Sequence, residues 1–207
     1  MLKLALALAA GLAVVSPAVA ESVKPAALDV PAGTYAIDPT HASVTWKVGH
    51  LGLSNYTARF VKFDAKLDFD PAAMDKSKLT VTIDPKSIRT DYPFADTKDF
   101  DKKLAEDAEY FNANAHPEIT FTSTAVEMTG EKTAKVTGDM TMLGVTKPVT
   151  LDVTLNGAMK EQPFAKKPAL GFSASTVIKR SEFGFTKLVP VVSDDVTLLI
   201  EAEFLGQ

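Results

Sequence analysis

The sequence predicts an all-β domain, a single antiparallel β-barrel of about eight to ten strands with one amphipathic helix. From Thr34 onward, apolar and polar residues alternate with period two, as in strands with one buried and one solvated face. Prolines lie between these alternating runs rather than inside them, as strand pairing requires. Closure into a barrel is favoured because it hides the strand edges.

The alternation is clearest in residues 149–156 and 196–204. In the first, Val149, Leu151 and Val153 face one way, with polar residues between them. Gly144 lies in a sequence typical of a turn, between two long runs of alternating apolar and polar residues. A β-sandwich core would show the same period, so alternation alone does not separate a ligand cavity from a solid core.

One segment, residues 96–111, departs from the strand period. Phe100, Leu104, Ala108 and Phe111 recur at helical spacing, and the charged residues lie mostly off that face. Asp96 or Thr97 could cap the start of a helix, and Pro117 prevents its continuation. We therefore expect one amphipathic helix that lies on the sheet or plugs one end of the barrel.

The first twenty residues have the pattern of a signal peptide. Lys3 precedes an apolar run over residues 4–15, and the segment ends in the small residues Ala18 and Ala20. This pattern predicts cleavage after Ala20, a flexible leader over residues 21–33, a folded domain over residues 34–204, and a periplasmic location. No later stretch is predicted to span a membrane.

Composition excludes several classes of function. A net charge of −4 and a pI near 5.4 argue against nucleic acid as a partner. The sequence has no cysteine and three histidines, so thiolate chemistry is excluded and metal ligands are scarce. No nucleophile elbow, phosphate loop or dinucleotide fingerprint is present. We therefore predict a protein that is not an enzyme and has no metal or cofactor.

Several segments, in the same order, resemble the YceI-like family. Residues 35–52, which include Asp38, His41 and Trp46, are similar to the opening signature of that family. Arg59-Phe60, the hairpin over residues 138–149, and the closing segments 180–184 and 193–196 also resemble it. Each piece is a weak signal, but their order over residues 34–204 makes the resemblance specific.

The resemblance implies a lipocalin-like barrel with an elongated apolar tunnel for a polyisoprenoid chain, such as a polyprenyl diphosphate or a quinone tail. The expected function is that of an exported carrier or buffer of such a lipid. Two alternatives stay open: a structural or stress-related envelope protein without a specific ligand, and an enzyme acting on isoprenoid lipids. A homodimer is also left open. Ala58 and the loop over residues 163–168 depart from the family pattern, and the loop bears on the choice of head group.

Candidate ligand contacts come from the first long strand and from inward-facing aromatic residues. Val44, Trp46 and Val48 share one face, which is either core or tunnel wall. His41 and His50 could bond a head group or nearby backbone, and their odd spacing disfavours a shared metal. Arg59 could meet a diphosphate, whereas Lys179 and Arg180 are expected on a solvated face. The full predicted set is Trp46, Val44, Val48, His41, His50, Arg59, Phe63, Phe69 and Phe121.

Overall fold

The computed structural model of the chain describes residues 24–207, which form ten strands and one α-helix. The predicted signal peptide and cleavage site lie outside these residues. The helix α1 is Phe100–Glu106. The strands are β1 (Gly33–His50), β2 (Ser54–Phe60), β3 (Phe63–Phe69), β4 (Lys78–Ile83), β5 (Ile88–Arg89), β6 (Ile119–Met128), β7 (Thr133–Met142), β8 (Val145–Met159), β9 (Ala169–Lys179) and β10 (Val192–Gly206).

Eight strands close an antiparallel barrel in the order β1-β3-β4-β6-β7-β8-β9-β10, and β10 pairs back with β1. Strand β1 is long enough to serve two neighbours: residues 33–36 pair with β3, and residues 44–50 pair with β2. Strands β2 and β5 extend beyond the closed ring. The predicted fold class is confirmed. Within residues 24–207, no helix has the length and apolar character needed to cross a bilayer.

The helix is shorter than the sequence predicts. Asp99, rather than Asp96 or Thr97, caps it: the Asp99 carboxylate accepts a hydrogen bond of 2.8 Å from the backbone N–H of Lys102. The helix ends at Glu106, and Asp107 turns the chain by accepting a bond from the N–H of Glu109. Ala108 is consequently exposed, while Phe111 is buried from a turn rather than from the helix.

The two ends of the barrel have different coverings. At the end that we call the helix end, α1, the segment 107–116 and the segment 180–191 cover the strands. At the opposite end, which we call the leader end, lie the loops 70–77, 129–132 and 160–168 and the chain segment 24–32. Each end has its own cluster of buried apolar side chains.

Candidate functional site

The interior of the barrel contains a cavity of about 200 Å³. All eight barrel strands contribute side chains to its wall, because the inward residues of each strand alternate with outward ones. The wall is almost entirely apolar, and its residues include Val44, Phe63, Phe69, Leu79, Phe121, Val136, Leu151, Phe172, Ile200 and Phe204. An eight-stranded barrel can either fill with side chains or hold one small ligand, and this barrel leaves room.

Small inward residues help to leave that room. Ala65, Ala134, Ala174 and Ala202 line the cavity from four different strands. A leucine or valine at these positions would extend further into the interior, as the larger residues around them do. Small side chains on these four strands therefore contribute to the cavity.

A glycine allows one aromatic wall residue to lie close to the sheet. A Cβ atom on Gly138 would stand 2.6 Å from the carbonyl oxygen of Thr122 and would overlap the ring of Phe121. Gly138 has an ordinary strand conformation, so the requirement is for space and not for backbone freedom. The Phe121 ring occupies that space as part of the cavity wall.

Aromatic side chains fill the helix end. Tyr56 contacts both Trp46 and Phe100, with ring centroids 6.4 Å and 6.1 Å apart. Phe111 packs edge to face between Phe60 and Phe185, at 5.5 Å and 5.3 Å. Pairs at these distances and angles are favourable beyond the area that they bury. Aromatic rings in mutual contact consequently occupy the core of this end.

Arg180 holds the loop that covers the helix end. Its guanidinium donates hydrogen bonds to four backbone carbonyls, those of Ser193, Phe185, Lys187 and Val192, at 2.7 to 3.2 Å. Only 5 % of Arg180 is exposed, so the expectation of a solvated position was wrong. Burial lowers the pKa of Arg180 below its ordinary value, and the nearby Asp194 carboxylate opposes that shift. Arg180 is a structural residue.

At the leader end, the chain before β1 lies against the barrel. Val30 is buried, and the backbone N–H of Ala26 donates to the carbonyl of Glu131 at 2.9 Å. The Tyr35 hydroxyl donates to the carbonyl of Pro31 at 2.6 Å. Glu131 and the adjacent Lys132 belong to the turn between β6 and β7, and both line the cavity while exposed to solvent. The cavity therefore reaches the surface beside this turn.

Comparison with known proteins places the chain in a family. The model of the YceI-like domain matches residues 35–204. The chain belongs to the YceI-like family. This confirms the resemblance drawn from the sequence. A UPF0312 protein of Ectopseudomonas mendocina (strain ymp) is 38 % identical over 178 residues, which cover 85 % of this chain and 89 % of the relative. One from Pseudomonas putida (strain GB-1) is 41 % identical over 155 residues, 74 % of this chain and 77 % of the relative.

Solved structures share the fold of this YceI-like protein. The structure of Burkholderia cenocepacia BcnA has a TM-score of 0.68 and 26 % identity, over 81 % of this chain and 98 % of that one. The YceI protein of Campylobacter jejuni has a TM-score of 0.65 and 34 % identity, over 78 % and 91 %. A polyisoprenoid binding domain from Saccharophagus degradans has a TM-score of 0.60 at 15 % identity, over 84 % and 98 %, which shows the fold alone.

The predicted contact residues divide into two groups in this YceI-like protein. Val44, Phe63, Phe69 and Phe121 lie together on the cavity wall. Val48 is buried, and Trp46 partly buried, in the packed core of the helix end, outside the cavity wall. Arg59 is exposed on β2 and does not line the cavity. A role in lipid binding stays a prediction for each of these residues.

The two predicted histidines are also outside the cavity wall. His50 is exposed at the end of β1. His41 lies at an irregularity where residues 38–41 of β1 bulge away from β10. There the His41 Nδ1 lies 2.9 Å from a carboxylate oxygen of Asp38, and the Glu203 carboxylate is close by. The hydrogen bond with Asp38, and then the charge of Glu203, raise the pKa of His41.

The bulge also defines the cluster that could hold a metal ion. Donor atoms of Asp38, His41 and Glu203 lie within 4.8 Å of one another. The hydrogen bonds from Thr40 and His41 lower the pKa of Asp38 and account for its position without an ion. The sequence spacing of His41 and His50, and of glutamates near them, did not reveal this grouping, because Glu203 is distant in sequence.

Ser77 and Ala174 are wall residues that the sequence reasoning missed. Ala174 and Phe172 are two residues apart on β9, so their side chains point to the same face of the sheet. The period-two pattern of β9 could therefore have predicted that Ala174 points inward. Ser77 lies in the loop between β3 and β4, where no period applies. Its side-chain oxygen is buried and has no hydrogen-bond partner among residues 24–207.

Proposed function

We propose that this YceI-like protein is an exported, non-enzymatic carrier or buffer that holds the tail of a polyisoprenoid lipid in its barrel cavity. The observation that carries the proposal is the apolar cavity inside the barrel, which reaches the surface at the leader end. Transfer of each methylene from water into such a cavity contributes about 0.8 kcal/mol, so a long hydrocarbon chain gains most.

The comparison with the Saccharophagus degradans domain shows that a barrel of this fold occurs in a protein named for polyisoprenoid binding. That protein is described as a polyisoprenoid binding domain and has the same fold. The identity of 15 % supports the fold only, so the argument for this chain depends on its own cavity wall. That wall has the apolar character that a prenyl tail requires.

The cavity wall has few side chains that could catalyse a reaction of a bound lipid. Within the part of the chain that the structure describes, no histidine or aspartate lines the cavity. Its hydroxyl-bearing residues are Ser77, Thr120, Ser123 and Thr133, and the possible bases among the other wall residues are Glu131, Lys132 and Glu201, all three exposed to solvent. This supports a binding role over an enzymatic one.

Export and a periplasmic location depend on residues 1–20. N-terminal sequencing of the protein from intact cells tests this part of the proposal. We expect a mature chain that starts at Glu21, and material that starts at Met1 in the cytoplasm would contradict it. Homodimer formation and the absence of a nucleic-acid partner also stay predictions.

Extraction of the purified protein with organic solvent, followed by mass spectrometry of the released lipid, tests the proposal directly. We expect a prenyl lipid at about one equivalent per barrel. The same purification from cells that lack the gene sets the background. A barrel that releases no lipid above that background, and binds none when lipid is supplied, would support a structural envelope protein instead.

A further inference from the structure

The loop between β8 and β9, residues 160–168, presents an aromatic side chain to solvent. Phe164 in this loop is 90 % exposed, and Met159, the last residue of β8, is 54 % exposed. A single exposed apolar side chain is ordinary on a protein surface. Whether Phe164 has a role therefore depends on how it is held, where it lies and which charges surround it.

Hydrogen bonds inside the loop hold Phe164 in place. The Oε1 atom of Gln162 accepts bonds from the backbone N–H groups of Phe164 and Ala165, at 2.7 Å and 2.6 Å. The backbone N–H of Gln162 donates to the carbonyl of Lys167 at 2.7 Å and closes the loop. The phenyl ring is thus presented by an ordered loop, so docking through it costs little conformational entropy in the backbone.

The hairpin that carries this loop extends past the mouth of the cavity. Strand β8 pairs with β7 as far as Thr154, and the N–H of Leu155 donates to the carbonyl of Lys132, in the turn beside which the cavity reaches the surface. Among the described strands, residues 157–159 pair with β9 alone. Phe164 consequently lies farther along the hairpin than the mouth does, at the leader end.

Three lysines accompany Phe164 in the loop. Lys160 pairs with Asp29 and Lys166 pairs with Glu161, each at 3.5 Å and with exposed side chains. Lys167 is exposed and has no ion pair among the residues that the structure describes. Exposed ion pairs contribute little to stability. All three ammonium groups can therefore turn to an anionic surface at small cost.

Charge is distributed unevenly around the leader end. Residues 160–168 carry a net charge of +2, on a chain whose overall charge is −4. Residues 70–77 carry −1, and in the strand order their loop, between β3 and β4, lies across the ring from β8 and β9. The other two leader-end segments are neutral overall. The basic side of this end is consequently the side with the exposed phenyl ring.

We propose that the loop over residues 160–168 docks the leader end on an anionic lipid bilayer, with the Phe164 ring in the acyl boundary and the lysines on lipid phosphates. Apolar insertion and attraction to anionic lipid together determine binding at a membrane surface. A second copy of the chain is disfavoured as the occupant, because the apolar tip of one loop is far smaller than the roughly 800 Å² per partner of a stable interface. The inference rests on the proposed function, since it brings the cavity mouth to the membrane with which a carrier exchanges its lipid.

Vesicle flotation tests the docking surface. The vesicles are phosphatidylcholine alone, or phosphatidylcholine with about 30 % phosphatidylglycerol. We expect the wild type to bind the mixed vesicles more tightly, and Phe164→Ser to bind them at least about tenfold more weakly than the wild type. Leu53→Ser is the matched control, because Leu53 is 84 % exposed but lies in the turn between β1 and β2, beside the helix end. It should bind as the wild type does.

A second pair of variants tests the charges. Lys167→Gln should weaken binding to the mixed vesicles about fivefold, since one lysine near an anionic surface contributes about that factor. Lys62→Gln, at an equally exposed position in the turn between β2 and β3, should leave binding unchanged. Equal losses in the two lysine variants would mean that the attraction is not specific to this loop, and would overturn the inference.

Calorimetry with farnesol, a prenyl alcohol, separates docking from lipid binding. Phe164 does not line the cavity, so Phe164→Ser should bind farnesol with the wild-type affinity when vesicles are absent. A weaker affinity would place Phe164 in the binding site and contradict a docking role. If the wild type binds vesicles through Phe164 but binds no farnesol and releases no prenyl lipid, the proposed function fails and the docking surface stands without it.

Two flotation results would overturn the inference while leaving the proposed function intact. One is an equal loss of binding in Leu53→Ser and Phe164→Ser. The other is a wild type that binds neither kind of vesicle, which would leave the loop as a surface for a protein partner instead.

Discussion

The two ends of the barrel differ in how their interiors are filled. At the helix end, aromatic rings packed edge to face and the buried Arg180 fill the space and fix the covering loop. Toward the leader end, alanines on four strands leave space beside apolar walls. We therefore expect one end of the molecule to maintain the fold, and the proposed binding site lies toward the other. Substitutions at the two ends should therefore have separable effects.

The largest expected effect comes from removing the guanidinium at the helix end. Arg180→Met would leave four partly buried carbonyls without their donor, and we expect a loss of about 3 kcal/mol in the free energy of unfolding. Denaturant titration measures this loss. Lys179→Met, at the exposed neighbouring position, is the control and should change stability little.

The same variant separates stability from binding. Arg180 does not line the cavity, so the folded fraction of Arg180→Met should bind a prenyl probe with the wild-type affinity. A large loss of affinity in protein shown to be folded by circular dichroism would mean that the two ends are not independent.

A smaller effect is expected in the middle of the barrel. Gly138→Ala would place a Cβ against Phe121 and the Thr122 carbonyl, and we expect a loss of about 1–3 kcal/mol by thermal or chemical unfolding. Gly157→Ala is the matched control, since no atom lies within 4 Å of the added Cβ. That variant should be neutral or more stable by up to about 1 kcal/mol. Equal losses at both positions would show that the Phe121 contact does not cause the effect.

The smallest effect concerns the bulge on β1. His41 should titrate above its ordinary pKa of 6.5, because Asp38 and Glu203 favour the charged ring. Since the folded pKa is raised, the stabilisation is complete below pH 6.5 and is lost as the pH rises through the folded pKa of His41. NMR titration of the ring should show the pKa falling more in Asp38→Asn than in Glu203→Gln. A pKa that neither variant changes would contradict the contacts at the bulge.

The sequence predicted features that depend on neighbouring residues better than features formed by residues distant in the chain. The period-two pattern of β8 was sufficient for the strand and its inward face, and residues of β1, β3 and β6 were correctly chosen as inward. The predicted helix was too long. Asp99 and Asp107 cap the helix at residues 100 and 106, inside the segment that the apolar spacing marked as helical. The burial of Arg180 was missed because its partners are backbone carbonyls of the covering loop and of the start of β10, which leave no side-chain pattern. The cavity itself depends on residues from strands far apart in sequence.

The claim that the cavity is the binding site is tested most directly by filling it. Ala174 lines the cavity, and the adjacent Ser175 belongs to the other face of β9. The affinities of Ala174→Leu and Ser175→Leu for farnesol are compared by calorimetry, after both variants are shown to be folded. Leucine at position 174 occupies volume that the tail needs, so we expect at least about a tenfold loss there. Leucine at position 175 should leave the affinity at the wild-type value. Equal affinities of the two variants would contradict the account.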